Sequence, residues 1–144
     1  MKQVLSITEA GVMGLHAMAI LAFKEDQWRS TRKMAAALKV SEHHLSKVLQ
    51  GLRRQGLIES VRGPRGGYTL AKGSDRISLL DIYEATEGQF PGHGCLLGKR
   101  VCAGKKCLLG DYPGIVNDQF RDYLAKTKLS EMKDLYQTGS GGRK

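Results

Sequence analysis

No stretch of this 144-residue chain is long and apolar enough to cross a bilayer. The most apolar segment, Gly11–Phe23, is too short and too rich in Ala, Gly and Met. Met1–Leu5 lacks the charged start, long apolar run and cleavage site of a secretory leader, so a soluble, cytoplasmic protein is expected. A phosphate-binding loop, a Cys-x-x-Cys pair, paired acids with a His at catalytic spacing and an internal repeat are all missing. These absences speak against an enzyme. Acids are scarce as well, with 14 Asp and Glu against 23 Lys and Arg. The imbalance is uneven: residues 1–73 hold 12 basic and 5 acidic side chains, and residues 74–144 hold 11 and 9. A basic first half suits a polyanionic partner, and a nearly neutral second half suits another task.

What is present begins with Val61-Arg62-Gly63-Pro64-Arg65-Gly66-Gly67-Tyr68. Val61 and Tyr68-Thr69-Leu70 have strand character, and three glycines, a proline and two arginines lie between them. The pattern predicts a hairpin with a positively charged tip. Behind a helix-turn-helix, such a tip is a wing for a DNA backbone or a minor groove, where inserted Arg is attracted. Taken alone the run would equally suit a solvated loop, so its neighbours decide.

Ser30 or Thr31 can cap a helix with Met34, Ala35 and Leu38 on one face. Lys39-Val40 makes a turn, and Ser41 caps a second helix carrying Leu45, Val48, Leu49 and Leu52. Gly56 ends it, just after Arg53-Arg54, which suit a helix C-terminus. Short helix, turn, longer helix is the helix-turn-helix pattern, whose second helix places its first turns on base edges. Ser41, His43, His44, Ser46 and Lys47 are the expected DNA-contacting residues there, together with Arg62 and Arg65 of the wing.

A first helix is expected from Ser6-Ile7-Thr8-Glu9 to about Lys24, with Val12, Leu15, Ala19 and Ala22 inward, and Trp28 beneath the next helix. Ser78-Leu79-Leu80-Asp81 opens another helix with a capping box, closed by Gly88. Gly114–Lys126 reads as a long amphipathic helix, followed by a short one from Ser130 to Tyr136. Ile115, Val116, Phe120, Tyr123 and Leu124 lie on its apolar side and are the expected dimer interface, because a helix-turn-helix usually reads a two-fold operator as a dimer.

Between these helices lie all three cysteines, Cys95, Cys102 and Cys107. Gly94, Gly98, Gly104 and Gly110 let that backbone fold tightly, and Lys99, Arg100, Lys105 and Lys106 add the positive charge that suits thiolates. Four readings stand side by side. They are a disulfide (disfavoured in a reducing cytosol), zinc on three Cys and His93, a thiol redox switch, and an iron–sulfur cluster with a fourth ligand from elsewhere.

The run Thr31–Ala71 with VRGPRGGYTLAK, then Ile77–Gly88 (ISLLDIYEATEG), the three-Cys loop and the terminal helix together resemble the Rrf-two family of bacterial winged-helix transcription regulators. Ile7-Thr8, Gly11 and Ala17-Met18 match it too. The resemblance implies a homodimer that binds operator DNA and whose loop ligates an iron–sulfur cluster, either 2Fe-2S or 4Fe-4S. It also implies a branch concerned with iron–sulfur assembly, nitric oxide or cysteine metabolism. Six residues separate Cys95 from Cys102 and four separate Cys102 from Cys107, where cluster-binding members commonly have five and five. Gly110 stands where one branch has a His, and Val12 where another has a first-helix acid. Glu9, His16 and His93 are therefore the candidate fourth ligands. The expected fold is mostly α with a small β-hairpin wing, a winged helix-turn-helix domain plus a long C-terminal dimerisation helix. Its expected divisions are a DNA-binding domain over 1–88, a cysteine-rich sensor loop over 89–113, a dimerisation helix and terminal short helix over 114–137, and a disordered tail over 138–144.

Overall fold

The computed structural model describes residues 7–92, 102 and 107–136. Five α-helices and one hairpin follow in order: α1 (Glu9–Phe23), α2 (Thr31–Leu38), α3 (Glu42–Arg54), β1 (Ile58–Val61), β2 (Gly67–Leu70), α4 (Leu79–Glu87) and α5 (Tyr112–Lys126). Short 3-10 segments cover Ser74–Arg76 and Leu129–Tyr136. The expected mostly helical winged-helix architecture is what the chain adopts. The tail beyond 137 lies outside the described residues.

The starts of the helices follow their capping residues. Thr8, Ser30, Ser41 and Ser78 each accept a hydrogen bond from a backbone N–H in the first turn. At α4 the box is complete, since Asp81 also accepts from the Ser78 N–H at 2.9 Å. Gly56, with φ +79°, terminates the α3 segment.

α1 occupies the centre and touches α2, α3, α4, β2 and the C-terminal 3-10 segment. Here the expected stripe needs correction. Ala19 and Ala22 are buried as expected, together with Met13, Ala17, Met18, Ile20 and Leu21, whereas Val12 is 36 % exposed and Leu15 only half-buried. The helix is apolar on nearly every side, so no narrow stripe marks its inner face; such helices are surrounded by core. Trp28 also departs from expectation at 41 % exposed. Its neighbour Arg29 pairs by backbone with Tyr68 and has an inaccessible Nε. Extended backbone alternates its side chains, so Trp28 turns to solvent.

The same core takes in the C-terminal half. Leu124 and Leu129 belong to the central apolar cluster, with Phe120 packed against it. Tyr83, Phe90 and Phe120 form an aromatic trio with centroid separations of 5.1–6.1 Å. Thr127 O accepts from Leu79 N–H at 2.9 Å, and Ile77 O from Leu129 N–H at 2.8 Å, tying the terminal segment to the start of α4.

Candidate nucleic-acid interface and thiol site

α2 and α3 meet at a tight elbow. Lys39 takes a left-handed conformation (φ 57°, ψ 45°), and the N–H groups of Lys39 and Val40 bond back to Ala36 O and Ala35 O at 3.3 and 3.0 Å. Leu45, Val48, Leu49 and Leu52 hold α3 on the core, which turns its other faces outward. Of the predicted contact residues, Ser41, His43 and Lys47 are exposed, and His44 and Ser46 are half-buried. Ser41 Oγ is occupied in part as the helix cap, 3.2 Å from His44 N, and Ser46 Oγ accepts from Gln50 Nε2 at 3.3 Å.

The wing is an antiparallel pair, with Ile58 opposite Leu70 and Val61 opposite Gly67. Its turn is closed by Gly66 N–H donating to Gly63 O at 2.9 Å, with Pro64 supplying the pre-set φ of the turn's second residue. Arg62 and Arg65 stand exposed at the tip. The base is fixed by a reciprocal backbone pair in which Arg29 N–H donates to Tyr68 O and Tyr68 N–H to Arg29 O, both 2.8 Å. This close approach is why residue 67 is glycine: a Cβ there would lie 2.2 Å from Arg29 O.

Between α3 and the wing runs an open groove of about 800 Å³. Arg32 of α2, Arg53 and Arg54 of α3, and Arg62 of the wing line it, with Glu42, Gln50 and Ser60. By local pattern Arg53 and Arg54 suit only a helix C-terminus, and Arg32 carries no signal of its own. Only the wing's folding back beside α3 brings the four together, so periodicity along the chain held no signal for it.

Cys102 and Cys107 are exposed free thiols, and Cys107 Sγ accepts the Leu109 N–H at 3.4 Å. Cys95 and His93 lie outside the described residues. Cysteine thiols are the donor type that an iron–sulfur cluster uses, and Cys102 and Cys107 are accessible. Glu9 is exposed on the first turn of α1. His16 is exposed too, but its Nδ1 is hydrogen-bonded to the Tyr136 hydroxyl, leaving Nε2 as its available donor. Among the described residues no three His, Cys, Asp or Glu side chains converge as a metal-binding group. Burial raises the Tyr136 hydroxyl above the ordinary tyrosine pKa.

On α5 the predicted interface splits in two. Leu124 is 3 % exposed inside its own chain and Phe120 packs on the core, whereas Ile115, Val116 and Tyr123 face outward with Tyr112. The five residues expected on one apolar side thus divide between two faces. The 113, 117, 120, 124 series faces inward and the 112, 116, 119, 123 series outward, consistent with helical spacing. No described helix is long and apolar enough to span a membrane.

A helix-turn-helix with a basic wing beside its second helix defines a winged-helix transcription regulator. The chain belongs to the Rrf2 family: the family model, described as an iron-dependent transcriptional regulator, matches residues 7–135. A protein of Aquifex aeolicus (strain VF5), provisionally named an HTH-type transcriptional regulator, is 31% identical over 121 residues, covering 82% of this chain and 84% of that one. The solved structure of CymR, the global cysteine regulator of B. subtilis, superposes with a TM-score of 0.77 at 27% identity, covering 93% of this chain and 100% of that one. T. potens IscR superposes with a TM-score of 0.70 at 26% identity, covering 96% and 95%. The protein is thus a DNA-binding transcription regulator and not an enzyme.

Proposed function

We propose that this chain is a cytoplasmic homodimer that represses transcription from a two-fold operator. Each α3 enters a major groove, with Ser41, His43, His44, Ser46 and Lys47 toward base edges and phosphates, while Arg62 and Arg65 carry the wing to the flanking backbone or minor groove. The observation that carries this reading is the basic groove between α3 and the wing, lined by Arg32, Arg53, Arg54 and Arg62, beside the exposed Ser41, His43 and Lys47 of the helix start. Ile115, Val116 and Tyr123 on the outward face of α5 supply the two-fold seam. Residues 1–88 serve as the DNA-binding unit, 89–113 as the sensor, 114–137 as the dimerising segment and 138–144 as a tail.

In this reading Cys95, Cys102 and Cys107 hold an iron–sulfur cluster, with a fourth donor from Glu9, His16 or His93. When bound, the cluster supplies a redox-reactive or nitric-oxide-reactive signal. The chain's own residues carry that signal onward. Phe90 anchors the entry of the loop against Tyr83 and Phe120, and Asn117 Nδ2 donates to Pro91 O at 3.1 Å. The loop's other end continues directly into α5. Ordering the loop can therefore reorient α5, and with it the spacing of two reading heads. Such coupling requires different loop stabilities in two dimer arrangements, and typical couplings are about 1–3 kcal/mol.

A second reading replaces the cluster by a thiol switch. It is favoured by the two exposed free thiols and by the likeness to a cysteine regulator. Purification without oxygen separates the two: visible absorbance with stoichiometric iron, lost in each Cys→Ala variant, supports the cluster. Colourless protein whose DNA affinity changes on thiol oxidation supports the switch.

A further inference from the structure

We infer that a cleft between α1, the α2–α3 elbow and the C-terminal 3-10 segment binds a small apolar amine, and that its occupancy adjusts DNA affinity. The cleft has a volume of about 320 Å³. Val12 and Met13 of α1, with Leu38 and Val40 of the elbow, give it an apolar lining. Glu9, His16 and Tyr136 supply its polar groups. Val12 borders this space, which accounts for the 36 % exposure of a valine on a helix otherwise surrounded by core. Small-molecule sites are concave, mostly apolar, furnished with a few polar groups and about 300 Å³ or larger. An apolar cavity of about 150 Å³ already takes benzene, so this cleft has room for one ring and a short polar arm. Among the described residues no cysteine lines it, so it is separate from the thiol site.

The polar groups select the head of the ligand. Glu9 has no hydrogen bond or ion pair among the described residues, so its carboxylate is available to a cation. His16 Nδ1 is held by the Tyr136 hydroxyl, and the two rings meet edge to face with centroids 5.8 Å apart. That leaves His16 Nε2 to the ligand. An ammonium group gains a charge-assisted bond to Glu9, whereas a carboxylate would meet it as a like charge. An apolar body removes Val12 and Leu38 from water. Lys39, between Leu38 and Val40, makes the left-handed turn, and Val40 directly precedes Ser41, the cap of α3. A ligand seated here thus touches the joint that sets the direction of α3. Occupancy changes DNA affinity to the extent that the ligand binds one elbow geometry better than another. With Glu9 and His16 serving this cleft, His93 is the donor left to complete the thiol site.

The test titrates full-length protein, labelled on its methionine methyls, with 2-phenylethylamine, 2-phenylethanol and phenylacetate. Met13 lines the cleft, and Met18 and Met34, buried without lining it, are internal controls. The Met13 resonance is assigned through Met13→Leu. The amine is expected to shift it with a Kd of about 1 mM or tighter, at least about tenfold below that of phenylacetate. Glu9→Gln should erase the preference for the amine over the alcohol. Ala37→Phe, which fills the cleft from an exposed position on α2, should abolish binding of all three probes. Should that variant fail to fold, Ala37→Leu is expected to weaken binding instead. Saturating amine should change affinity for an operator selected from random DNA at least about fivefold, and this arm alone rests on the DNA-binding reading. No Met13 shift with the amine, or an equal affinity for phenylacetate, overturns the site. A Met13 resonance that moves with protein concentration alone gives the cleft to a second copy and also overturns it. Unchanged operator affinity at saturation overturns the coupling. Protein that binds the amine but no DNA overturns the DNA-binding reading while the site stands.

Discussion

Gly67→Ala is a one-methyl perturbation with a consequence that can be worked out from the wing's attachment. The new Cβ would lie 2.2 Å from Arg29 O, 2.5 Å from Arg29 C and 2.9 Å from Ser30 N. All three are backbone atoms, so no rotamer change relieves the overlap. Separation must break the reciprocal Arg29–Tyr68 pair, two backbone bonds of 2.8 Å. Each contributes about 1 kcal/mol net, and displacement of the Ser30 cap of α2 adds about 1 more. The expected destabilisation is about 3 kcal/mol, which for a chain of this size lowers Tm by roughly 6–12 °C. Thermal and denaturant unfolding, followed at one protein concentration, reads this directly. Gly63→Ala is the control. Its φ of +117° is strained for alanine, but nothing lies within 4 Å of the added methyl, so strain of about 1–2 kcal/mol is the whole effect. Gly67→Ala should also reduce DNA affinity more than Gly63→Ala, since only the former undocks the wing. A Gly67→Ala protein within about 0.5 kcal/mol of wild type would refute the argument that backbone contact fixes the wing.

Tyr123→Asp should give monomers in sedimentation at micromolar concentration, whereas Leu124→Ala should cost about 2–4 kcal/mol of stability through a cavity, whatever the protein concentration. His43→Ala and Lys47→Ala separate base from phosphate contacts. A lost base contact costs about 1–3 kcal/mol and relaxes preference at one position, and a lost phosphate contact weakens all sequences alike. Burial raises the folded-state pKa of Tyr83 and Tyr136 above 10.0, the value the unfolded chain retains. Their contribution to stability is therefore full below pH 10 and is lost as pH rises through the folded-state values. Tyr136→Phe should flatten the alkaline limb of the stability profile, and an unchanged limb would remove Tyr136 from it.

The helix-turn-helix was legible because each of its boundaries rests on a local signal: Ser30, Ser41 and Gly56 act through their own neighbours. The same holds for the Ser78–Asp81 box and for the wing, where turn residues and strand residues alternate within ten positions. α1 was misjudged at Val12 because an all-round apolar helix has no contrast from which to read a direction. Leu124 and Tyr123 are adjacent in sequence, yet one is buried and the other exposed, and only the packing of Phe120 against Phe90 and Tyr83 reveals which face α5 spends on its own core. The arginine groove was invisible for a related reason. Arg32, Arg53 and Arg62 are separated by about twenty and nine residues, and their meeting depends on the Arg29–Tyr68 pair, which local pattern does not encode.

Operator affinity of the anaerobically purified protein, compared with that of its Cys95→Ala, Cys102→Ala, Cys107→Ala triple variant and read beside iron content, tests the central claim most directly. The operator is obtained by selection from random DNA. Iron and visible absorbance are expected in the wild type only, with affinities differing about 5–150-fold, the usual range of allosteric coupling. Equal affinities together with no iron in either protein would contradict a cysteine-based sensor built onto this DNA reader.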